Sequence, residues 1–322
     1  MFQRRALALA GLALAAPGLA QAQTGPWPNR PIRILVGFPA GGPTDLVARL
    51  LQEPLQRVWG QPVVVENRPG ASQIIASEAI ARSAPDGYNL LLAASTHSSN
   101  PATQARLPYD TMADFSLINV LYGSPTVLFV PAQSPIRDAR HLVEEARRNP
   151  GMTFATSGPG TSGHFAQEMF ARRVGIEITH VPFRGAAPAL QEVISGRINA
   201  TFSTLSGAMP LAREGRLRAI AIGGPQRAPA LPDVPTLDEL GMSIPDTSPW
   251  YGLIGPRGMP RDLVERISND SIGLIREPAV ETRIRDTGGI LIAEGPDAFH
   301  ARMLREIEEN REMARVAGLS PS

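Results

Sequence analysis

The 322-residue chain contains no cysteine, which excludes disulfides, thiolate nucleophiles and thiolate metal ligands in whatever compartment it occupies. Lysine is missing as well, every basic residue other than histidine being arginine. That absence removes the P-loop lysine, Schiff-base chemistry and lysine general bases together. The five histidines are scattered, with no H-E-x-x-H and no close pair on one helix face, so no ligand set for a catalytic zinc is visible. Neither a metal nor a cofactor is expected. Charge of one sign is not in excess either: the formal net charge is +1, and nucleic acid, which requires a concentrated basic surface, is not an expected partner. Beyond the amino terminus no apolar run approaches the roughly 20 residues needed to span a bilayer.

What is present begins with Arg4 and Arg5, an apolar run over Ala6–Ala16, a break at Pro17-Gly18 and the small-x-small triplet Ala20-Gln21-Ala22. That order predicts a secretory signal over residues 1–22, cleaved before Gln23, and a mature protein that works outside the cytoplasm. The arginine pair leaves the general and twin-arginine export routes both open. Without Arg4 and Arg5 the formal charge falls to −1. The remaining chain of about 300 residues is long enough for two domains, each with its own core.

Strands alternate with helices along it. Ile32–Val36 runs into the glycine-rich stretch Gly37–Asp45, after which Leu46, Val47, Leu50, Leu51, Leu55 and Val58 recur at helical spacing; this predicts strand, tight turn and helix, with Pro54 kinking or ending the helix. Further strands are predicted at Val63–Val65 and Asn89–Ala94, the latter ending in Ser95 and Thr96, with a helix over Ile74–Arg82 between them. A second series starts near Asp138 and includes a strand at Met152–Thr156, the loop Ser157–Gly163, a helix to Val174 and strands at Ile178–Phe183, Ile198–Ser203 and Leu217–Ile222. The alternation predicts an α/β protein of two doubly wound, parallel-sheet lobes. Apolar stretches at Leu117–Val130 and Trp250–Ile254 suit strands that pass between lobes, a two-strand hinge. The expected division is residues 23–124 with 250–322 in one lobe and 125–249 in the other.

In open parallel sheets ligands bind beyond the carboxyl ends of the strands. Gly37–Asp45 and Ser157–His164 lie there, rich in glycine and hydroxyl groups, and backbone N–H groups at Gly41-Gly42 and Gly160-Thr161 would attract an anion with no basic side chain. The alternative is a tight turn with Thr44 or Asp45 capping the helix. Gly158-Pro159-Gly160-Thr161-Ser162-Gly163 satisfies G-x-G-x-x-G, but the acidic residue a dinucleotide site needs at the end of the next strand is absent, Glu177 lying at its wrong end. A secreted serine-type hydrolase is the enzyme alternative, because Ser162 and His164 are close in sequence. G-x-S-x-G is missing, and two residues apart on a helix they point to different faces. His164 is expected as a hydrogen-bonding wall or cap, and no catalytic residue is assigned.

A set of motifs now in view resembles one family. They are Trp27-Pro28-x-x-Pro31-Ile32, Phe38-Pro39-Ala40-Gly41-Gly42 with Asp45, Gln61-Pro62-Val63-Val64-Val65-Glu66-Asn67-Arg68-Pro69-Gly70-Ala71 and Pro85-Asp86-Gly87-Tyr88. They continue with Leu107-Pro108-Tyr109-Asp110, Ser157-Gly158-x-Gly160-Thr161, His180-Val181-Pro182-Phe183-x-Gly185 and Leu231-Pro232-Asp233-Val234-Pro235-Thr236. In order and spacing they resemble the extracytoplasmic substrate-binding receptors of tripartite tricarboxylate transporters, the Bug family. The resemblance implies a type II periplasmic-binding-protein fold that closes on a small organic acid in the periplasm and delivers it to membrane transporter subunits through transient contact, acting as a monomer and not as an enzyme. A ligand-sensing partner of a signalling protein would use the same pocket. Carried over, Phe38, Ala40, Gly41, Gly42, Thr44 and Asp45 form one jaw, with Asp45 favoured as a cap. Ser157, Thr161, Ser162, His164, Phe183, Gly185 and Ala186 form the other, and Ser95 and Thr96 complete the wall. Two departures stand out. Ser72-Gln73 replaces the family's frequent Gly-Gly, and Ser203 stands where the family often has aspartate, which disfavours amine-bearing ligands.

Overall fold

Ile32–Val36 (β1) forms a strand because its β-branched and leucine residues are buried on both sides, and the loop after it turns the chain into α1, Pro43–Trp59. A computed structural model describes residues 26–319; the signal expected over residues 1–22 lies outside them. The chain continues through β2 (Val63–Asn67), α2 (Ile74–Ala81), β3 (Asn89–Ala94), α3 (Thr96–Thr103) and β4 (Phe115–Gly123). After Ser124-Pro125 it enters a second unit: β5 (Thr126–Pro131), α4 (Ala139–Arg148), β6 (Met152–Thr156), α5 (Ser162–Val174), β7 (Ile178–Pro182), α6 (Ala186–Ile194), β8 (Ala200–Thr204), α7 (Leu205–Arg213) and β9 (Leu217–Ile222). It then returns through β10 (Trp250–Pro256), α8 (Arg261–Ile275), α9 (Pro278–Asp286), β11 (Ile290–Glu294) and α10 (Pro296–Ala317).

Two sheets result, with orders β11-β4-β10-β3-β1-β2 and β7-β6-β8-β5-β9. Wholly parallel sheets were the expectation, and the sheets are mixed. β1 pairs in parallel with β2 and β3, and β6 with β7 and β8, but β10 lies antiparallel between β3 and β4, and β5 antiparallel between β8 and β9. The reason is the crossing itself: β5 and β10 are the strands that arrive from the opposite unit, so they run against their new neighbours. The crossing segments also hold each other, through Ser124 N–H to Pro249 O at 3.1 Å and Thr126 Oγ1 to Thr247 O at 3.2 Å.

Pro54 does not shorten α1, contrary to the sequence expectation. The helix runs on to Trp59 and stops at Gly60, whose left-handed conformation lets its N–H reach Gln56 O at 3.0 Å. Val47, Ala48 and Leu51 before the proline and Leu55 and Trp59 after it are buried in one core, and that packing outweighs the roughly 3 kcal/mol an internal proline costs. Trp59 is further fixed by its indole N–H to Asp270 at 3.0 Å.

Candidate functional site

The carboxyl ends of β1, β3 and β8 and the hinge strand β10 converge on a cavity of about 50 Å³ lined by residues from both lobes. Of the residues singled out from the sequence, Phe38, Gly42, Thr44, Ser95, Thr96, Ser157, Thr161, Ser162, Ala186 and Ser203 line it. Ser72, Phe183 and Gly185 instead line an adjoining outer chamber, which Phe38 and Ser157 share. The inner lining contains no charged side chain at all. It is made of hydroxyl groups, alanine and proline side chains, the aromatic residues Phe38, Phe202 and Tyr251, and the first turns of α1, α3, α5 and α6. The first N–H groups of a helix have no intrahelical partner and carry the positive end of its dipole. The backbone N–H groups of Ser162 and Gly163 find no acceptor among the described residues, and the Thr96 hydroxyl, on a residue only 4% exposed, is likewise without a partner. Such a cavity attracts an anion and desolvates it without a counter-charge.

The donors differ from those expected. Gly41 N–H is bound to Asp45 Oδ2 at 2.9 Å, and Gly160 N–H to His164 Nδ1 at 3.1 Å. Gly42 N–H and Thr161 N–H turn inward on Pro39 O and Gly158 O, both at 3.4 Å. These groups shape their own loops, and the free donors lie one or two residues further on, inside the helices. Ala40, Gly41, Asp45 and His164 accordingly line neither cavity.

Asp45 does not cap α1 at the N-cap position, which is Gly42. Its carboxylate ties the first-lobe loop from beneath, accepting from Gly41 N–H and Arg49 Nε at 2.9 Å each and from Asn67 Nδ2 at 2.9 Å. His164 does the same for the second loop. Accepting at Nδ1 requires a neutral ring protonated at Nε2, and the ring stacks on His180 with centroids 4.0 Å apart. His180 Nε2 in turn lies 2.7 Å from Thr156 Oγ1. Burial, reinforced by His180, pushes the His164 pKa down to about 3; burial also lowers His97 to about 4.

A pH dependence follows with a definite sign. Histidines depressed in the folded state and ordinary in the unfolded state, near 6.5, give the unfolded chain more bound protons between those values. Folding stability is therefore full above pH 6.5 and declines as pH falls toward 4 and then 3, while His164 contributes no titration to ligand affinity between pH 7 and 8. Urea unfolding across pH 3–8 checks this; a stability that rises on acidification through that window would contradict neutral, buried imidazoles.

Ser162 and His164 make no nucleophile–base pair. Ser162 Oγ lies 3.4 Å from Ser95 Oγ of the other lobe, and His164 Nδ1 is taken by Gly160. Ser203 lines the cavity, leaving its wall without an acid. The lining also holds residues not singled out from the sequence, among them Gly163, Thr204 and Tyr251. Thr204 ends β8 and stands at the N-cap of α7, a helix hidden in the sequence behind a Ser-Thr-Leu-Ser run, and Tyr251 follows Trp250 on the hinge strand; adjacency to the predicted crossing was the available signal for Tyr251.

The lobes touch across the cleft at Ser72 Oγ to Pro159 O, 2.8 Å, and Ser99 Oγ to Gly160 O, 2.7 Å. Three successive residues other than glycine, Ala71, Ser72 and Gln73, have positive φ there, at 45°, 48° and 78°. The conformation is held by Ala94 N–H to Gln73 Oε1 at 3.0 Å and by Asn100 Nδ2 to Ser72 O at 3.1 Å.

Residues 47–302 match the family described as tripartite tricarboxylate transporter family receptor. Protein BugT of Bordetella pertussis is 31% identical over 322 residues, covering 99% of each chain. A solved R. palustris protein with adipate superposes with a TM-score of 0.89 at 30% identity, covering 92% of this chain and 100% of that one. MatC of Rhodopseudomonas palustris, with bound malate, gives 0.82 at 29% identity, covering 89% and 99%.

Proposed function

Because this chain belongs to the tripartite tricarboxylate transporter receptor family, we propose that it is a periplasmic receptor that traps a small organic acid between its lobes and hands it to membrane transporter subunits. The observation that carries the reading is the uncharged inner cavity at the first turns of four helices, with unpartnered N–H groups at Ser162 and Gly163. Two related proteins were solved with the carboxylates adipate and malate, which supports the same ligand class here. In this reading residues 23–124 with 250–322 make one jaw and residues 125–249 the other, and closure is a hinge motion at the two crossings. The protein acts as a monomer and catalyses no reaction; the separation of Ser162 from His164 chemistry supports that. Among the described residues no helix is long and apolar enough to cross a membrane.

A thermal-shift panel of mono-, di- and tricarboxylates and amino acids, run on protein stripped of bound ligand, tests the reading. An acid at 100 times its dissociation constant should stabilise the fold by about 2.7 kcal/mol, and amino acids should shift it less than the matching acids. A flat response to every carboxylate would overturn the proposal, and turnover of an ester lost in Ser162→Ala would replace it with hydrolysis.

A further inference from the structure

The inner cavity, at about 50 Å³, has room for a few waters or for one carboxylate group. It does not have room for a whole diacid. Past Phe38 and Ser157, which line both spaces, it meets an outer chamber of about 620 Å³ between the lobes. The chamber's walls include the apolar side chains of Phe38, Ile75 and Phe183, and its lining has a single charged residue, Arg184. Ile75 is 50% exposed there. It packs closely on Gly70, where an added Cβ would come within 2.3 Å of Ile75 Cδ1. A large apolar side chain presented to solvent beside a polar anion pocket is the composition of a binding cleft. Arg184 has no carboxylate partner among the described residues, so its guanidinium is available to an incoming anion.

We propose that the outer chamber is a tail subsite, and that the ligand is an extended diacid. One carboxylate sits at the first turns of the inner cavity, an unbranched apolar spacer lies between Phe38, Ile75 and Phe183, and the second carboxylate pairs with Arg184. This rests on the receptor reading and narrows it: compact hydroxylated diacids leave the apolar walls wet and cannot reach Arg184.

Calorimetry on ligand-free protein with suberate, octanoate and malate tests the proposal. Suberate and octanoate share a chain length and differ by one carboxylate; malate is short and polar. Suberate should bind about tenfold more tightly than either of the others. Arg184→Gln should cost suberate about tenfold and octanoate less than about twofold, while Ile75→Ser should weaken both by about fivefold. Both side chains are exposed, and unchanged thermal unfolding without ligand confirms that the variants fold; the three-ligand series on the unmodified protein stands without them. Tighter binding of malate than suberate, or an equal loss for suberate and octanoate in Arg184→Gln, overturns the tail subsite and leaves the receptor reading intact. Failure of all three acids, together with the wider carboxylate panel, overturns both.

Discussion

Replacing Gly163 with alanine should lower ligand affinity by about a hundredfold, because it lifts the first turn of α5 off the sheet and misplaces the donors that face the cavity. A Cβ at Gly163 would lie 2.2 Å from the carbonyl oxygen of Phe202. Phe202 belongs to β8, held between β6 and β5 in the middle of the second sheet, so the oxygen cannot retreat and the helix has to. Overpacking against backbone costs about 3 kcal/mol of stability. Gly175→Ala, at the other end of the same helix, is the control. There φ is +65° and no atom lies within 4 Å of an added Cβ, so the substitution carries only the backbone penalty of about 1 kcal/mol and should leave affinity unchanged. Titrating both variants with a bound acid separates the cases; a Gly163→Ala protein that binds like the parent would show that the α5 terminus is not where the anion sits.

Asp45→Ala should destabilise the fold by about 3 kcal/mol and loosen the first-lobe loop, since it strands the donors of Gly41 and Asn67 under the cleft. Its carboxyl is pulled in two directions. Burial raises its pKa, while hydrogen bonds from Arg49, Gly41 and Asn67, with the nearby Arg49 charge, lower it and prevail, so it lies below its ordinary value of 3.8. A depressed carboxyl contributes stability that is complete above the unfolded value and is lost as pH falls through the folded one. The gap between the parent and Asp45→Ala should thus be widest near neutral pH and narrow below pH 4. Urea midpoints at pH 7 and pH 3 measure it, and a gap that does not narrow would mean the carboxylate charge is irrelevant to the tie.

Much of the architecture was legible in particular residues. The strand–loop–helix passages at Ile32–Trp59 and Met152–Val174 could be read because apolar periodicity changes from strand to helix across a glycine-rich turn. The helices α3, α7 and α9 and the strand β11 were not read. The α3 sequence Thr-His-Ser-Ser-Asn-Pro-Ala-Thr has no apolar period, yet almost all of it is buried, His97 and Asn100 completely. One side is covered by α10, more than two hundred residues later, through contacts such as Asn310 Nδ2 to Ser98 Oγ at 3.3 Å, while His97 packs against Tyr109 and Phe115. Pro54 misled in the opposite sense, because local propensity cannot register the core that carries α1 on to Trp59.

The candidate site divides along the same line. By itself the sequence determined the residue types available at the strand ends: glycine, serine and threonine at 157–163, serine in place of an acid at 203, and no lysine anywhere. Those types are intrinsic, and the missing lysine rules out Schiff-base and lysine general-base chemistry before any fold is known. Which N–H groups face the cavity was decided only by the tertiary structure. Gly41 and Gly160 look like the anion donors in one dimension, but Asp45 and His164 reach back four residues and consume them, leaving the N–H groups of Ser162 and Gly163 without an acceptor at the cavity. A donor's direction depends on which acceptor the folded chain brings nearest, and sequence spacing does not carry that information.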